Sequence, residues 1–353
     1  MTPDSTQNGI EPFYVGHTES MNVTIAITTY NDGEYLDLLL TDLSTQDIAG
    51  ITLRIDLIDA GSYGLDRAKS KLGPVSVFLT YSQEPSMSRT AALNKIFARA
   101  RGSLVVRLDA RTHIGPNYLQ RIVELSRETG AANVGGTMVP IGRSPSQRLI
   151  GSLMRHRFCF GGGKSRCVDY KGTADSVYLG AFDTTRCDMI TEWFDVVQPR
   201  ISEDSDLNYR LRKGGGRVYL DTSVEVLYYP RETLREFFRL CYNYGVGRGV
   251  FLIKHRAISA FRQVVPPMAL VASVACLALG YKFPLLIVLL AGGVVTYLST
   301  SAYFAFRLGH GLKAVGKGMA GFVGCHFFWT AGIIASPFVY FGAKRAAREL
   351  DRP

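Results

Sequence analysis

The stretch Ile201-Ser-Glu-Asp-Ser-Asp-Leu-Asn-Tyr-Arg-Leu-Arg212 sets three carboxylates, Glu203, Asp204 and Asp206, directly ahead of a helical pattern through Leu207 and Leu211. Like charges repel, and one carboxylate is enough to cap a helix or oppose its dipole. Three at one helix mouth suit a site where a base works beside a bound cation, or beside positive charge developing on a substrate. A solvated acidic helix start would explain the triplet taken alone. Asp109 weighs against that reading, because it ends the apolar run Ser103–Leu108, where a buried strand leaves its sheet.

These acidic points need a frame, and the first 260 residues supply one by alternation. Residues 22–30 are rich in β-branched side chains and read as a strand; Asn31-Asp-Gly33 then turns into a helix carrying Tyr35, Leu36, Leu39, Leu40 and Leu43. Residues 51–58 form a second strand closed by Asp59-Ala-Gly-Ser62, residues 75–81 a short third, and residues 103–108 a fourth that ends at Asp109. Helical periodicity through Ala92, Leu93, Ile96 and Phe97 marks residues 86–100. This rhythm implies a mostly parallel sheet with helices on both faces, in which ligands bind beyond the carboxyl ends of the strands. Thr28, Thr29, Tyr30, Asp59 and Asp109 all fall at those ends and motivate a nucleotide-type pocket. Neither GxGxxG after the first strand nor GxxxxGK[ST] occurs, which disfavours dinucleotide and P-loop sites.

Further on, residues 118–128 read as a helix, and residues 134–139, 175–182 and 217–220 as strands. Residues 140–175, with Gly161-Gly-Gly-Lys164 at their centre, read as either a mobile loop over a site or a disordered connector.

The apolar excess lies at one end. Val264–Gly280, Phe283–Phe306 and Met319–Phe341 each approach or exceed the length needed to cross a hydrocarbon core of about 30 Å. The net charge is +10, and basic residues gather beside these segments. Anionic headgroups explain that placement better than nucleic acid does, since no nucleic-acid motif is present. The basic residues before the first segment and between the second and third agree with a cytoplasmic catalytic domain. Those after the third conflict with it if all three segments cross, so the third either breaks the positive-inside tendency or is re-entrant. The six cysteines lack metal-ligand spacing and read as reduced thiols. Residues 1–20 carry no secretory signal and read as a flexible leader.

Taken in order, the motifs resemble a known family. Strand-Thr-Thr-Tyr-Asn, strand-Asp-x-Gly-Ser, Arg89-Thr-Ala-Ala-Leu-Asn94, strand-Leu-Asp-Ala and Glu-Asp-x-x-Leu-x-x-Arg resemble the inverting family 2 glycosyltransferases of the GT-A fold. Tyr178-Leu-Gly-Ala-Phe182, Gly215-Gly-Arg and Tyr228-Tyr-Pro-Arg231 add a likeness to the succinoglycan-type exopolysaccharide glucosyltransferases. The resemblance implies an α/β, Rossmann-like GT-A domain over 21–230. Amphipathic interfacial helices over 231–262, a membrane domain with about three hydrophobic segments over 263–343 and a basic tail over 344–353 follow it.

The resemblance also implies roles. Thr28, Tyr30 and Asp59 would contact the base and ribose, with Arg89, Asn94, Arg111 and Gly180 completing the nucleotide-sugar site. Asp109 would be the first carboxylate of an Asp-x-Asp element near a metal-bound diphosphate, and Asp204 the catalytic base with Glu203 beside it. Arg111 replaces the second Asp, so Mg²⁺ or Mn²⁺ is held either by Asp109 with the diphosphate, or not at all if Arg111 pairs with the diphosphate itself. His113 could be a further ligand, although a lone histidine after a strand is usually structural.

The Gln-x-x-Arg-Trp element of processive synthases is missing, which argues for adding one sugar per acceptor. The implied partners are a nucleotide diphosphosugar, a polyprenyl-linked lipid acceptor and membrane lipids. A reading of another class is a membrane scaffold or regulatory subunit that kept the fold without turnover, and Arg111 is the feature that favours it.

Overall fold

The computed structural model describes residues 20–161, 163–164, 169–197, 202–258 and 261–350. The expected leader, except Ser20, lies outside these residues, as do Gly162, Cys167 and the last three residues of the basic tail.

The expected alternation forms. It opens with β1 (Met21–Thr29), α1 (Gly33–Ser44), β2 (Ile51–Asp59), α2 (Leu65–Leu72), β3 (Leu79–Gln83), α3 (Arg89–Arg99) and β4 (Leu104–Asp109). It continues through β5 (Thr112–His113), α4 (Tyr118–Thr129), β6 (Asn133–Pro140), α5 (Pro145–Arg155) and α6 (Arg157–Phe160). β7 (Lys171–Thr173), β8 (Tyr178–Asp183), α7 (Glu203–Lys213) and β9 (Val218–Tyr228) close the domain. The strands lie in one sheet in the order β3-β2-β1-β4-β8-β6-β9-β5, with β7 on β9. β3, β2, β1 and β4 run parallel, β8 enters antiparallel between β4 and β6, and β6 pairs parallel with β9.

Helices cover both faces. Leu36, Leu39, Leu40 and Leu43 of α1, spaced as one helical stripe, join Leu72 of α2 and Ile122 of α4 in one core. Leu93, Ile96 and Phe97 of α3 join Leu207 and Leu211 of α7 in the other. The sheet is thereby held from two sides, and its strand ends are fixed.

Three expectations are corrected here. Residues 73–78 form a 3₁₀ helix started by Pro74, so the third strand begins only at Leu79. The stretch read as a loop or connector contains α5, which opens on a capping box between Ser144 and Gln147. β9 runs to Tyr228, well beyond residue 220, because β6, β7 and β5 all pair along it.

The last part is helical: α8 (Leu234–His255), α9 (Val265–Gly280), α10 (Leu285–Arg307) and α11 (Leu312–Leu350). By length and composition, α10 and residues 312–346 of α11 are long and apolar enough to cross a membrane. The 16 residues of α9 would extend only about 24 Å. α11 continues unbroken through Pro337, so the third hydrophobic segment does not turn back on itself. Most large apolar side chains of α9 and α10 are exposed.

Over 231–262 the described residues hold one long helix, α8, and α11 packs over its buried face. A third core of Leu149, Leu153, Phe237, Cys241, Phe322 and Cys325 joins α5 and α8 to α11. Glycines allow the two backbones to meet: a Cβ on Gly245 would stand 2.1 Å from the Trp329 carbonyl oxygen.

Candidate active site

Register brings the strand-end residues together. Thr28 lies beside Asp109 across β1 and β4, and Thr29 beside Asp59 across β1 and β2. Tyr30 stands free beyond them, 64% exposed. Asp59 is fully buried and accepts from the backbone N–H of Gly61 and Tyr63 and from the Tyr81 hydroxyl, each at 2.8 Å. Its carboxylate shapes the turn after β2.

Asp109 sits in a charged cluster. It pairs with Arg89, and Arg107 Nε lies 3.5 Å from the same carboxylate oxygen. Arg107 Nη2 also meets Glu203 Oε1 at 2.8 Å, and Arg89 Nε approaches that oxygen at 3.7 Å. Burial pushes the Asp109 carboxyl up, but Arg89 and Arg107 more than offset this, so it stays below the usual carboxylate range. Burial raises Glu203 above its ordinary value; the two arginines offset only part of that, and the nearby charge of Asp204 adds to it.

α7 sorts the three carboxylates by direction. At roughly 100° per residue, successive side chains leave the helix on different sides. Glu203, 3% exposed, points under the sheet to Arg107. Asp206 is fully buried and bound to Arg210, Lys254 and His255 at 2.7–2.8 Å. Burial would raise Asp206, but Lys254, His255 and Arg210 hold it below its ordinary value. Among the described residues no cation pairs with Asp204 in this way; it is partly exposed and accepts from the Ser205 N–H at 2.7 Å.

Asp204 lines a cavity of about 440 Å³, shared with Tyr178 of β8, Tyr244 and Arg248 of α8, and Trp329 of α11. A volume of this size falls within the ~300–1,000 Å³ typical of small-molecule sites. A carboxylate without an ion pair, in a cavity with mixed aromatic and basic walls that Asp169 and Glu225 also line, can take a proton from a bound hydroxyl group.

Five other expected site residues make contacts within the protein. Arg89 contacts the acidic cluster, as above. Asn94 clamps the loop before α7, donating to the Phe194 carbonyl at 2.7 Å and accepting from its N–H at 2.8 Å. Gly180 faces Asn133, whose Oδ1 would lie 2.2 Å from an added Cβ, so no side chain fits there. Arg111 donates to the carbonyls of Tyr229 and Pro230, at 3.2 and 3.1 Å, and stacks 3.8 Å over the Tyr35 ring. Most of its donors thus fasten the turn after β9 to α1. His113 is likewise engaged, with Nδ1 2.6 Å from Asp42.

Among the described residues, no three His, Cys, Asp or Glu side chains are grouped to hold a metal by themselves. His113, the weaker of the two candidate ligands, is bound to Asp42. Asp109 alone still fits a cation shared with a diphosphate: its side chain is 26% exposed, and Mg²⁺ commonly takes one or two carboxylates together with substrate phosphates.

Sequence reasoning missed Arg107 and the aromatic wall of the cavity. A charged residue inside the apolar run Leu104-Val-Val-Arg-Leu-Asp109 was the available signal, since a buried cation needs an anionic partner. Nothing in the sequence pattern brings Trp329 to Asp204.

Known proteins agree with this architecture. Residues 24–191 match Glycosyl transferase family 2. The chain is 26% identical over 250 residues to the Succinoglycan biosynthesis protein ExoA of Rhizobium meliloti (strain 1021), covering 70% of this chain and 75% of that one. It is 23% identical over 242 residues to the dolichyl N-acetyl-alpha-D-glucosaminyl phosphate 3-beta-D-2,3-diacetamido-2,3-dideoxy-beta-D-glucuronosyltransferase of Methanococcus voltae, covering 66% and 74%. Among solved structures, the mannosyltransferase PcManGT of Pyrobaculum calidifontis, in complex with GDP-Man and Mn²⁺, superposes with a TM-score of 0.57 at 16% identity, over 90% of this chain and 87% of that one. Over residues 24–191 the chain is thus similar to Glycosyl transferase family 2, and it shares the GT-A type of fold with the mannosyltransferase.

Proposed function

We propose that the protein is a membrane-bound, inverting hexosyltransferase. It moves a hexose from a nucleotide diphosphosugar, UDP-linked, to a polyprenyl-diphosphate-linked acceptor at the cytoplasmic face of the membrane, in assembly of an exopolysaccharide or cell-surface glycan.

One observation carries this reading. Of the three carboxylates at the start of α7, Asp204 alone opens into the cavity, and that cavity is walled partly by α8 and α11. A lipid-linked acceptor held near the apolar helices would present its hydroxyl to Asp204. Asp204 takes the proton as the hydroxyl oxygen forms its bond to C1 of the hexose. The C1–O bond to the diphosphate breaks on the opposite face, and the configuration at C1 inverts. Arg89 and Arg107 hold Asp109 and Glu203 in place, so the donor end and the base end of the site stay in fixed relation. Mg²⁺ or Mn²⁺, held by Asp109, would supply positive charge to the departing diphosphate.

The relatives support the substrate classes. One is named for succinoglycan biosynthesis and another for transfer to a dolichyl phosphate-linked sugar. The superposing mannosyltransferase binds GDP-Man and Mn²⁺.

The test is a transfer assay with full-length protein in detergent, a panel of nucleotide sugars and a membrane lipid extract. Sugar appearing on lipid supports the reading. Binding of nucleotide sugars with neither transfer nor hydrolysis would favour the scaffold alternative.

A further inference from the structure

Tyr178 opens β8 at an irregular point of the sheet. Its partner on β6 is Gly136, and the register shifts between Val134 and Gly136. The next residue, Leu179, has φ +46°, a left-handed conformation that a branched side chain rarely adopts. Irregularities and strain of this kind re-aim side chains and persist where the surroundings over-determine them. Here they direct Tyr178 into the cavity that Asp204 also lines.

The Tyr178 hydroxyl is buried and has no hydrogen-bond partner among the described residues. Its ring lies edge-on to Tyr228, with centroids 6.3 Å apart, so the aromatic body is packed while the polar tip is not satisfied. Burial, reinforced by the charge of Asp109, pushes the hydroxyl well above its ordinary value of 10.0, so it keeps its proton and can donate. A buried donor without an acceptor is costly, and it calls for an explanation.

Position supplies one. The antiparallel register of β4 and β8, with Val106 opposite Ala181, brings the start of β8 at Tyr178 towards the end of β4 at Asp109, and Tyr178 shares the cavity with Asp204. If Asp109 faces the donor diphosphate and Asp204 the attacking hydroxyl, the hexose lies between them. We propose that Tyr178 is a specificity-determining residue whose hydroxyl donates a hydrogen bond to the hexose of the bound nucleotide sugar. This rests on the reading of the site as one for a nucleotide diphosphosugar.

The experiment is calorimetric titration of full-length protein in detergent with Mn²⁺, using UDP- and GDP-hexoses and the corresponding nucleoside diphosphates. Tyr178→Phe keeps the ring and removes the hydroxyl. It should weaken the preferred nucleotide sugar by about tenfold, the size of one well-made hydrogen bond. Affinity for the nucleoside diphosphate should stay the same, and the thermal midpoint without ligand should hold or rise, because no existing bond is lost. An unchanged ratio of sugar-nucleotide to nucleotide affinity would overturn the inference alone. So would a parallel loss of both affinities with a lowered midpoint, which marks a structural residue. Wild-type protein that bound none of these ligands would overturn the underlying reading, and the inference with it.

Discussion

Arg107 of β4 donates to Glu203 of α7, Nη2 to Oε1, across 2.8 Å of buried space. The same guanidinium stands 3.5 Å from Asp109, so one side chain ties the end of the central strand to the start of the acidic helix. Both partners are nearly excluded from water, at 7% and 3% side-chain exposure. Arg107→Met would leave Glu203 buried without its closest cation, and should cost about 3–5 kcal/mol of stability. Denaturant unfolding measures this; a loss below about 1 kcal/mol would show that the pair contributes little.

Glu203→Gln distinguishes support from chemistry. Gln keeps an oxygen for Arg107 and removes the charge. Transfer should fall by less than about tenfold, since the base lies elsewhere. Loss of transfer comparable to that of an Asp204 variant, at unchanged stability, would make Glu203 the proton acceptor.

Acid should weaken the protein through Asp206 and Asp109. Both are held below their ordinary value of 3.8 in the folded state. Their stabilisation is fully present above that value and is lost as pH falls through it towards the folded values. Glu203 acts with the opposite sign: raised above its ordinary 4.5, it favours the folded state at low pH and loses that contribution as pH rises through 4.5 to the folded value. Thermal midpoints recorded across the acid range should therefore fall below about pH 4. Asp206→Asn should flatten that limb and lower the midpoint at neutral pH. A variant with the wild-type acid limb would show that Asp206 does not set it.

The parts legible in the sequence are those that local pattern controls. The apolar stripes of α1 and α3 gave the two helical faces, and the β-branched run before Thr29 gave the central strand. Asp109 and Asp204 stood out because carboxylates at a strand end and a helix mouth are poorly explained by folding alone. Long-range partners were not legible. Which of Glu203, Asp204 and Asp206 stays open depends on Arg107, 96 residues away from Glu203, and on Lys254 and His255 at the far end of α8. The partners of Arg111, the carbonyls of Tyr229 and Pro230, were not legible because they come to it only in the folded sheet. The capping box at Ser144 and Gln147 was visible, but the surrounding glycines obscured it.

α10 and residues 312–346 of α11, long and apolar enough to cross a membrane, predict membrane attachment. Full-length protein should stay with membranes through high salt and alkaline washing, and its recovery in a soluble fraction without detergent would contradict the spanning reading. Truncation after residue 262 should yield insoluble protein, because α8 would lose the cover that α11 provides over Phe237 and Cys241. A soluble, monodisperse truncated domain would show that this cover is dispensable.

Metal dependence should track Asp109. Activity should vanish in EDTA and return with Mn²⁺ or Mg²⁺, and Asp109→Ala should lose donor affinity along with the metal response. Arg111→Ala should lower the unfolding midpoint, since it frees the turn after β9 from Tyr35. Full activity in EDTA, together with collapse of activity in a stably folded Arg111→Ala, would show that the arginine serves in place of the cation.

The central claim is that Asp204 is the base, and Asp204→Asn tests it most directly. The substitution keeps the side chain's shape and an oxygen for the Ser205 N–H, and removes the proton acceptor. The measurement is the single-turnover transfer rate from nucleotide sugar to lipid acceptor, beside donor affinity in the same preparation. The account predicts a rate lower by on the order of a hundredfold or more, with donor affinity within about twofold of wild type. Transfer at near wild-type speed would contradict it.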